Sequence, residues 1–221
     1  MTFDLPVLFI DAHLLVVDKP AGLPTLPDGY DKNAPCLINL LKQQYDRVWV
    51  VHRLDKETSG VIVFARSAEV HRTLNMAFES RTVHKVYHAI TRGVPHWDEY
   101  TIDLPLRPDG DRHHRTVIDR QRGKAAVTHL RVSERFAQHA LIEARPETGR
   151  THQIRAHLAA LDLPLAGDAL YGGKDVTFLN ARTTLHARSL ELEHPVTQAT
   201  LQVEAPYPAD FAQVLRQLRG Q

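Results

Sequence analysis

The sequence predicts an α+β fold, with a mixed, largely antiparallel β-sheet core and peripheral helices, and three observations carry the prediction. Apolar runs of strand length recur along the whole of the 221 residues. Helical spacing of apolar residues is confined to a few short windows between those runs. No repeat, low-complexity tract or obvious linker interrupts the pattern, so a single domain over residues 1–221 is expected.

Local chemistry justifies each element in turn. Strands are expected at 7–10 and 14–18, the second closed by the turn Lys19-Pro20-Ala21-Gly22, which Pro24, Pro27, Asp28 and Gly29 extend into a loop. Leu37, Ile38, Leu40, Leu41 and Tyr45 have helical spacing and predict a short amphipathic helix over 36–46. Buried strands at 48–51 and 60–65 flank a polar segment. Ser67 can cap a helix that carries Val70, Leu74, Ala77 and Phe78 and ends near Arg81. A strand follows at 83–90, punctuated by Gly93 and Pro95. Residues 107–124 read as a polar, basic hairpin or loop, and 125–136 and 139–144 as an antiparallel pair. A helix from about Arg150 to Leu161 places Ile154, Leu158 and Leu161 on one face. Strands near Leu190 and at 201–204, then a helix over 208–218, complete the chain.

Composition narrows the function classes. With 43% hydrophobic and 24% charged residues the chain has globular proportions, which excludes disorder, collagen and coiled coil as descriptions of the whole. Its apolar runs fall far short of the about 20 residues of a helical bilayer span, so no membrane partner is expected. Residues 1–6 show no secretory signal, and Cys36, the only cysteine, allows no intramolecular disulfide. A cytoplasmic location and a small core role for Cys36 follow as expectations. The net charge of +1 conceals an asymmetry: residues 1–46 hold three Lys against six Asp, whereas 47–155 hold 16 Arg and three Lys against 13 acids. Of the 27 basic residues 20 are Arg, whose planar fork matches phosphate and stacks on bases.

Three segments embed charge in structure. In His52-Arg53-Leu54-Asp55-Lys56-Glu57-Thr58-Ser59-Gly60, two buried strands would hold a loop that presents Asp55 rigidly, as a catalytic carboxylate requires. The same residues also read as a turn in which Asp55 and Thr58 satisfy backbone amides. Lys85, Tyr87 and Ala89 share one strand face, where Tyr87 reads equally as a core aromatic. Residues 149–157 place five polar side chains in the first two turns of a helix, and Gly149 with the helix N-terminus suggests an anion site. The 14 histidines are scattered: no H-E-x-x-H occurs, His152 and His157 are five apart, and no metal site is expected.

HRLDKETSG at 52–60, KVYHAITRG at 85–93 and GRTHQIRAH at 149–157, in that order, resemble the RluA branch of the pseudouridine synthases. The flanks LLVVDKPAGLP at 14–24, GKAAVTHL at 123–130, LPLAGDALYGG at 163–173 and LHA at 185–187 agree with it. The resemblance implies the pseudouridine synthase fold and the isomerisation of specific uridines in structured RNA. It implies Asp55 as the nucleophile, Tyr87 beneath the target base and in proton removal, and Arg155 as the partner that orients Asp55 and keeps it ionised. It assigns Arg53 to displacing the base, His52, Arg150, His152 and Gln153 to the RNA-facing side, and Leu185 to packing in the site. Arg112 and Arg115, in the basic segment 107–124, are expected to hold a stem-loop of tRNA or ribosomal RNA. No cofactor and no metal is required, and a monomer is the expectation for this branch. Many relatives carry a small basic S4-like domain ahead of the catalytic one; the acidic first 46 residues lead us to expect none here.

The chemistry fits those roles. The N1–C1′ bond must break, the uracil must turn, and C5 must join C1′ before the C5 proton leaves. A carboxylate can attack or stabilise the electron-poor sugar carbon or add to the pyrimidine ring, and the sequence leaves these routes open. C1′ is out of reach in a stacked helix, so the nucleotide must flip, and an Arg can fill the gap. Two other readings compete: a non-catalytic RNA-binding or chaperone module built on 107–124 and 149–157, and a glycoside hydrolase using Asp55 and Glu57.

Overall fold

The structure is a computed structural model that describes residues 5–27, 34–172 and 182–220. Asp28 and Gly29 of the expected loop, and Gly173 of the flank at 163–173, lie outside the described residues. In chain order the elements are β1 (Val7–Ile10), β2 (Leu14–Lys19), α1 (Leu37–Gln44), β3 (Trp49–Val50), β4 (Ser59–Ala65), α2 (Ala68–Glu79), β5 (His84–Arg92), β6 (Glu99–Asp103), β7 (Leu106–Arg107), β8 (Val117–Ile118), β9 (Val127–Arg135), β10 (His139–Pro146), α3 (Gln153–Ala160), β11 (Leu185–Glu193), β12 (Thr200–Glu204) and α4 (Ala209–Arg219). They form two compact units, Met1–Lys85 with Ala187–Pro206, and Val86–His186 with Tyr207–Gln221.

In the first unit β2 pairs antiparallel with β1 and with β4, where Leu14 faces Ala65 and Lys19 faces Gly60. β3 and β11 lie along the other edge of β4, and β12 pairs with β11. Every residue of β4 is buried, as expected of a strand whose two faces are both covered. Alternation sorts them: Val61, Val63 and Ala65 join Leu14 and Val16, Val70 and Leu74 of α2, and Leu190, Leu192 and Val203 in one core. Ser67 caps α2 as expected, its hydroxyl accepting the N–H of Val70.

The second unit orders its strands β5-β10-β9-β6, all antiparallel. Tyr87 and Ala89 on one face of β5 pack in a core with Ile154 and Leu158 of α3 and with Leu185. Ile90 faces the other way, into a core with Phe211, Val214, Leu215 and Leu218 of α4. Helices on both faces of the strand explain why the consecutive residues Ala89, Ile90 and Thr91 are all buried.

The mixed, largely antiparallel sheet with few helices agrees with the expected α+β class, and the departures have local causes. β6 carries no apolar run: Ile102 alone of EYTID is buried, because β6 presents one side chain to the core from beside β9. The segment read as a hairpin or loop agrees with the short antiparallel pairing of β7 with β8, Leu106 facing Ile118 and Arg107 facing Val117. Lys19, read as the start of a turn, belongs to β2 and is fully buried. α3 begins at Gln153 rather than near Arg150, because His152 takes a left-handed conformation, φ 52°, ahead of the first helical turn.

Candidate functional site

The Asp55 loop is held from both sides by the segment that follows β2. The Thr25 hydroxyl donates to Leu54 O (2.9 Å) and accepts the Leu54 N–H (3.2 Å). Lys56 O accepts the N–H of Gly22 (2.8 Å) and Lys19 Nζ (3.1 Å). The residues immediately before and after Asp55 are therefore both pinned. The clamp has foundations of its own: Lys19 Nζ also donates to Pro20 O and Leu23 O, and the first N–H groups of α1, Leu37 and Ile38, donate to Pro24 O and Thr25 O. A buried ammonium that satisfies carbonyls fixes a turn more firmly than neutral donors would. At the loop's exit Gly60 sits at φ +110°, where a Cβ would come 2.1 Å from Ala187 O, so only glycine fits.

Within this loop Asp55 is partly buried and Arg53 is exposed. His52 is a correction to the sequence reading. Its ring stacks on Phe78 at 4.7 Å and its Nε2 accepts the N–H of Val63, so it faces the interior rather than RNA. Burial, aided by the charge of Lys85, lowers its pKa to about 3 and keeps it neutral.

The second unit gathers four of the remaining candidates around α3. Tyr87 and Leu185 border the core that receives Ile154, and Gln153 and Arg155 flank Ile154 on the helix. Gln153 is a second correction: it is buried, its Oε1 accepts Thr148 Oγ1 and the Arg150 N–H, and its Nε2 donates to Val127 O and Thr128 Oγ1. It builds the approach to α3 instead of facing RNA. His152 meets the Tyr171 hydroxyl through Nδ1 at 3.2 Å, and Arg150 Nε donates to Ala125 O. A Cβ at Gly149 would meet nothing within 4 Å, and α3 starts after His152 with no side-chain cap.

Arg155 is buried, and a fully buried carboxylate, Asp168, takes it side-on, with Nε to Oδ2 at 2.7 Å and Nη2 to Oδ1 at 2.9 Å. The Tyr171 ring lies 5.1 Å from the guanidinium carbon. Asp168 and Tyr171 lie within LPLAGDALYGG, and nothing in the residue types alone marks either for a role. In 107–124, Arg115 is engaged with Asp111 (2.7 Å) and Arg107 with Asp119 (2.7 Å), whereas Arg112, Arg120, Arg122 and Lys124 are exposed. Arg115 is thus an internal staple.

The family model of RNA pseudouridylate synthase matches residues 13–160. The chain belongs to the pseudouridine synthases. It is 40% identical to the ribosomal large subunit pseudouridine synthase D of Pseudomonas aeruginosa over 98% of this chain and 72% of that one. Identity to an RNA pseudouridine synthase of Zymomonas mobilis is 41%, over 93% of this chain and 94% of that one. Among solved structures, human RNA pseudouridylate synthase domain containing 4 superposes with a TM-score of 0.79 at 29% identity, covering 97% of this chain and 93% of that one. The relatives place this pseudouridine synthase in the RluA branch, as the three motifs implied, and make it an isomerase that acts on RNA. Among the described residues no helix is long and apolar enough to cross a membrane.

Proposed function

We propose that this pseudouridine synthase isomerises specific uridines of a structured RNA, with ribosomal RNA the first substrate to try and tRNA the second. The observation that carries the reading is the pinning of Leu54 and Lys56, which presents the carboxylate between them rigidly. Asp55 drives cleavage of the N1–C1′ bond, by attack at C1′, addition to the ring or elimination. Arg155 orients it, and Tyr87 removes or relays the C5 proton as N1 takes one up, so atoms balance with no cofactor. Arg53, exposed beside Asp55, fills the space of the flipped nucleotide, and Leu185 packs the site. Arg150, His152 and Arg112 contact RNA. Residues 1–221 act as a single catalytic domain, in a cytoplasmic monomer. The names of relatives such as the Pseudomonas aeruginosa synthase favour large-subunit ribosomal RNA as the target.

The test incubates the purified chain with total RNA from a strain lacking its gene and maps pseudouridine by carbodiimide-dependent reverse-transcription stops. New stops in ribosomal RNA that vanish with Asp55→Asn support the reading. Binding without stops would favour the non-catalytic module.

A further inference from the structure

We infer that Asp168 is the positioning residue of Arg155, an inference that rests on the synthase reading for its kinetic consequence. The geometry argues for more than a structural ion pair. A guanidinium offers a side edge, Nε with one Nη, and an end edge made by the two Nη groups. Asp168 takes the side edge with both carboxylate oxygens, which fixes the plane and leaves the end edge as the face that Arg155 can turn to a reacting group. The carboxylate is itself immobilised. Its Oδ1 also accepts the N–H groups of Leu170 (3.0 Å) and Tyr171 (3.2 Å), and Gly172 N–H closes the turn on Asp168 O at 2.7 Å.

Tyr171 guards the remaining freedom of the guanidinium, rotation out of its plane. Its ring lies against the guanidinium, and its hydroxyl accepts the Thr116 N–H (2.9 Å) and donates to Thr116 O (3.2 Å). Arg155 is thereby held at one edge and on one face by groups whose own positions are fixed by backbone. A pair needed only to neutralise a buried charge would not require that degree of support.

Asp168→Asn tests this, because the amide keeps an oxygen for the Leu170 and Tyr171 N–H groups and loses the charge and one acceptor toward Arg155. Two readouts on the full chain are compared with wild type. In single-turnover reactions on total RNA from the gene-deleted strain, the saturating rate should fall about tenfold or more, while the enzyme concentration giving half that rate holds within about threefold. In nitrogen-15 spectra, the Arg155 Nε–H should exchange with solvent about tenfold faster, having lost its acceptor. If Asp168→Asn does not fold, Asp168→Glu keeps the charge and displaces the carboxylate, and it should lose rate in the same way. A wild-type rate in a folded variant, or an equally protected Nε–H in Asp168→Asn, overturns the inference. Absence of product from the wild-type chain would instead sink the synthase reading, and the Nε–H exchange would then decide the positioning role alone.

Discussion

The loop 52–60 and the segment 107–124 are both short, polar and charged, yet they are held in opposite ways. Around Asp55 the bonds come from residues 29 to 37 positions away, through Thr25 and the buried Lys19. Within 107–124 the side-chain bonds are mostly local: Asp111 with Arg115, Asp119 with Arg107 and with the N–H groups of Gln121 and Arg122. Thr116 bonded to Tyr171, and Ile118 packed with Leu106, Ala126 and Ala156, tie it to the rest of its unit. On the function proposed above, the difference separates two tasks. A group that must meet a reacting atom within a fraction of an ångström needs long-range pinning, whereas a surface that must settle on an RNA can be a self-contained knob with arginines facing outward.

The comparison can be broken at its strongest point first. Lys19→Met removes the donor shared by Pro20, Leu23 and Lys56, and should cost about 3 kcal/mol, lowering Tm by roughly 6–12 °C in a thermal melt. Product formation should drop by about a hundredfold in the protein that remains folded. Thr25→Val severs only the Leu54 side of the clamp. It should cost about 1–2 kcal/mol and slow the single-turnover rate about tenfold, with RNA affinity unchanged in a filter-binding assay; Thr25→Ser should restore both. If Thr25→Val weakens binding and spares the rate, the division of tasks is wrong.

On the other side, Arg120→Ala with Arg122→Ala should leave Tm within about 1 °C and reduce the salt dependence of RNA binding by about one unit of slope for each arginine that meets a phosphate. Arg115→Ala, engaged with Asp111, should change affinity little. Point variants are the cleaner probe, because deleting 109–121 would also remove Thr116 and unsettle Tyr171.

The smallest effect is a pH signature beside Lys19. Burial raises the pKa of Asp18 to about 6, against a lowering influence of Lys19. Because the folded value lies above the unfolded 3.8, folding favours the protonated acid: its contribution is intact below about pH 4 and is lost as pH rises through about 6. Asp18→Asn should therefore raise Tm at pH 7–8 by about 2–4 °C, the figure for about 1 kcal/mol once partial exposure is allowed for, and should do nothing at pH 4.

The fold was legible wherever burial wrote itself into apolar runs, as in β2, β4 and β10, and where a cap marked a start, as at Ser67. It was illegible where a strand shows one residue to the core, as in β6, and where a polar turn mimics a helix start, as at Arg150 to His152. The site was read through residue types, which carry chemistry and not direction. Hence Asp55 and Arg155 stood out, while His52 and Gln153 were turned the wrong way: both are polar because the interior needs an acceptor for Val63 N–H and a partner for Val127 O. Lys19 and Asp168 escaped notice because a buried charge is legible only once its partners are in place.

The first unit is assembled from two stretches separated by a hundred residues, and that has a consequence for how the protein is made. When residue 85 leaves the ribosome, β4 has β2 and β3, but its neighbour β11 has not yet been synthesised. Leu190, Leu192 and Val203, which complete the core around α2, are missing as well. A nascent chain in that state exposes an apolar strand edge and an open core, the features that recruit chaperones and invite aggregation. Vectorial synthesis cannot finish this unit early, so the loop that bears Asp55 stays on an unfinished scaffold until the stretch 187–206 has emerged.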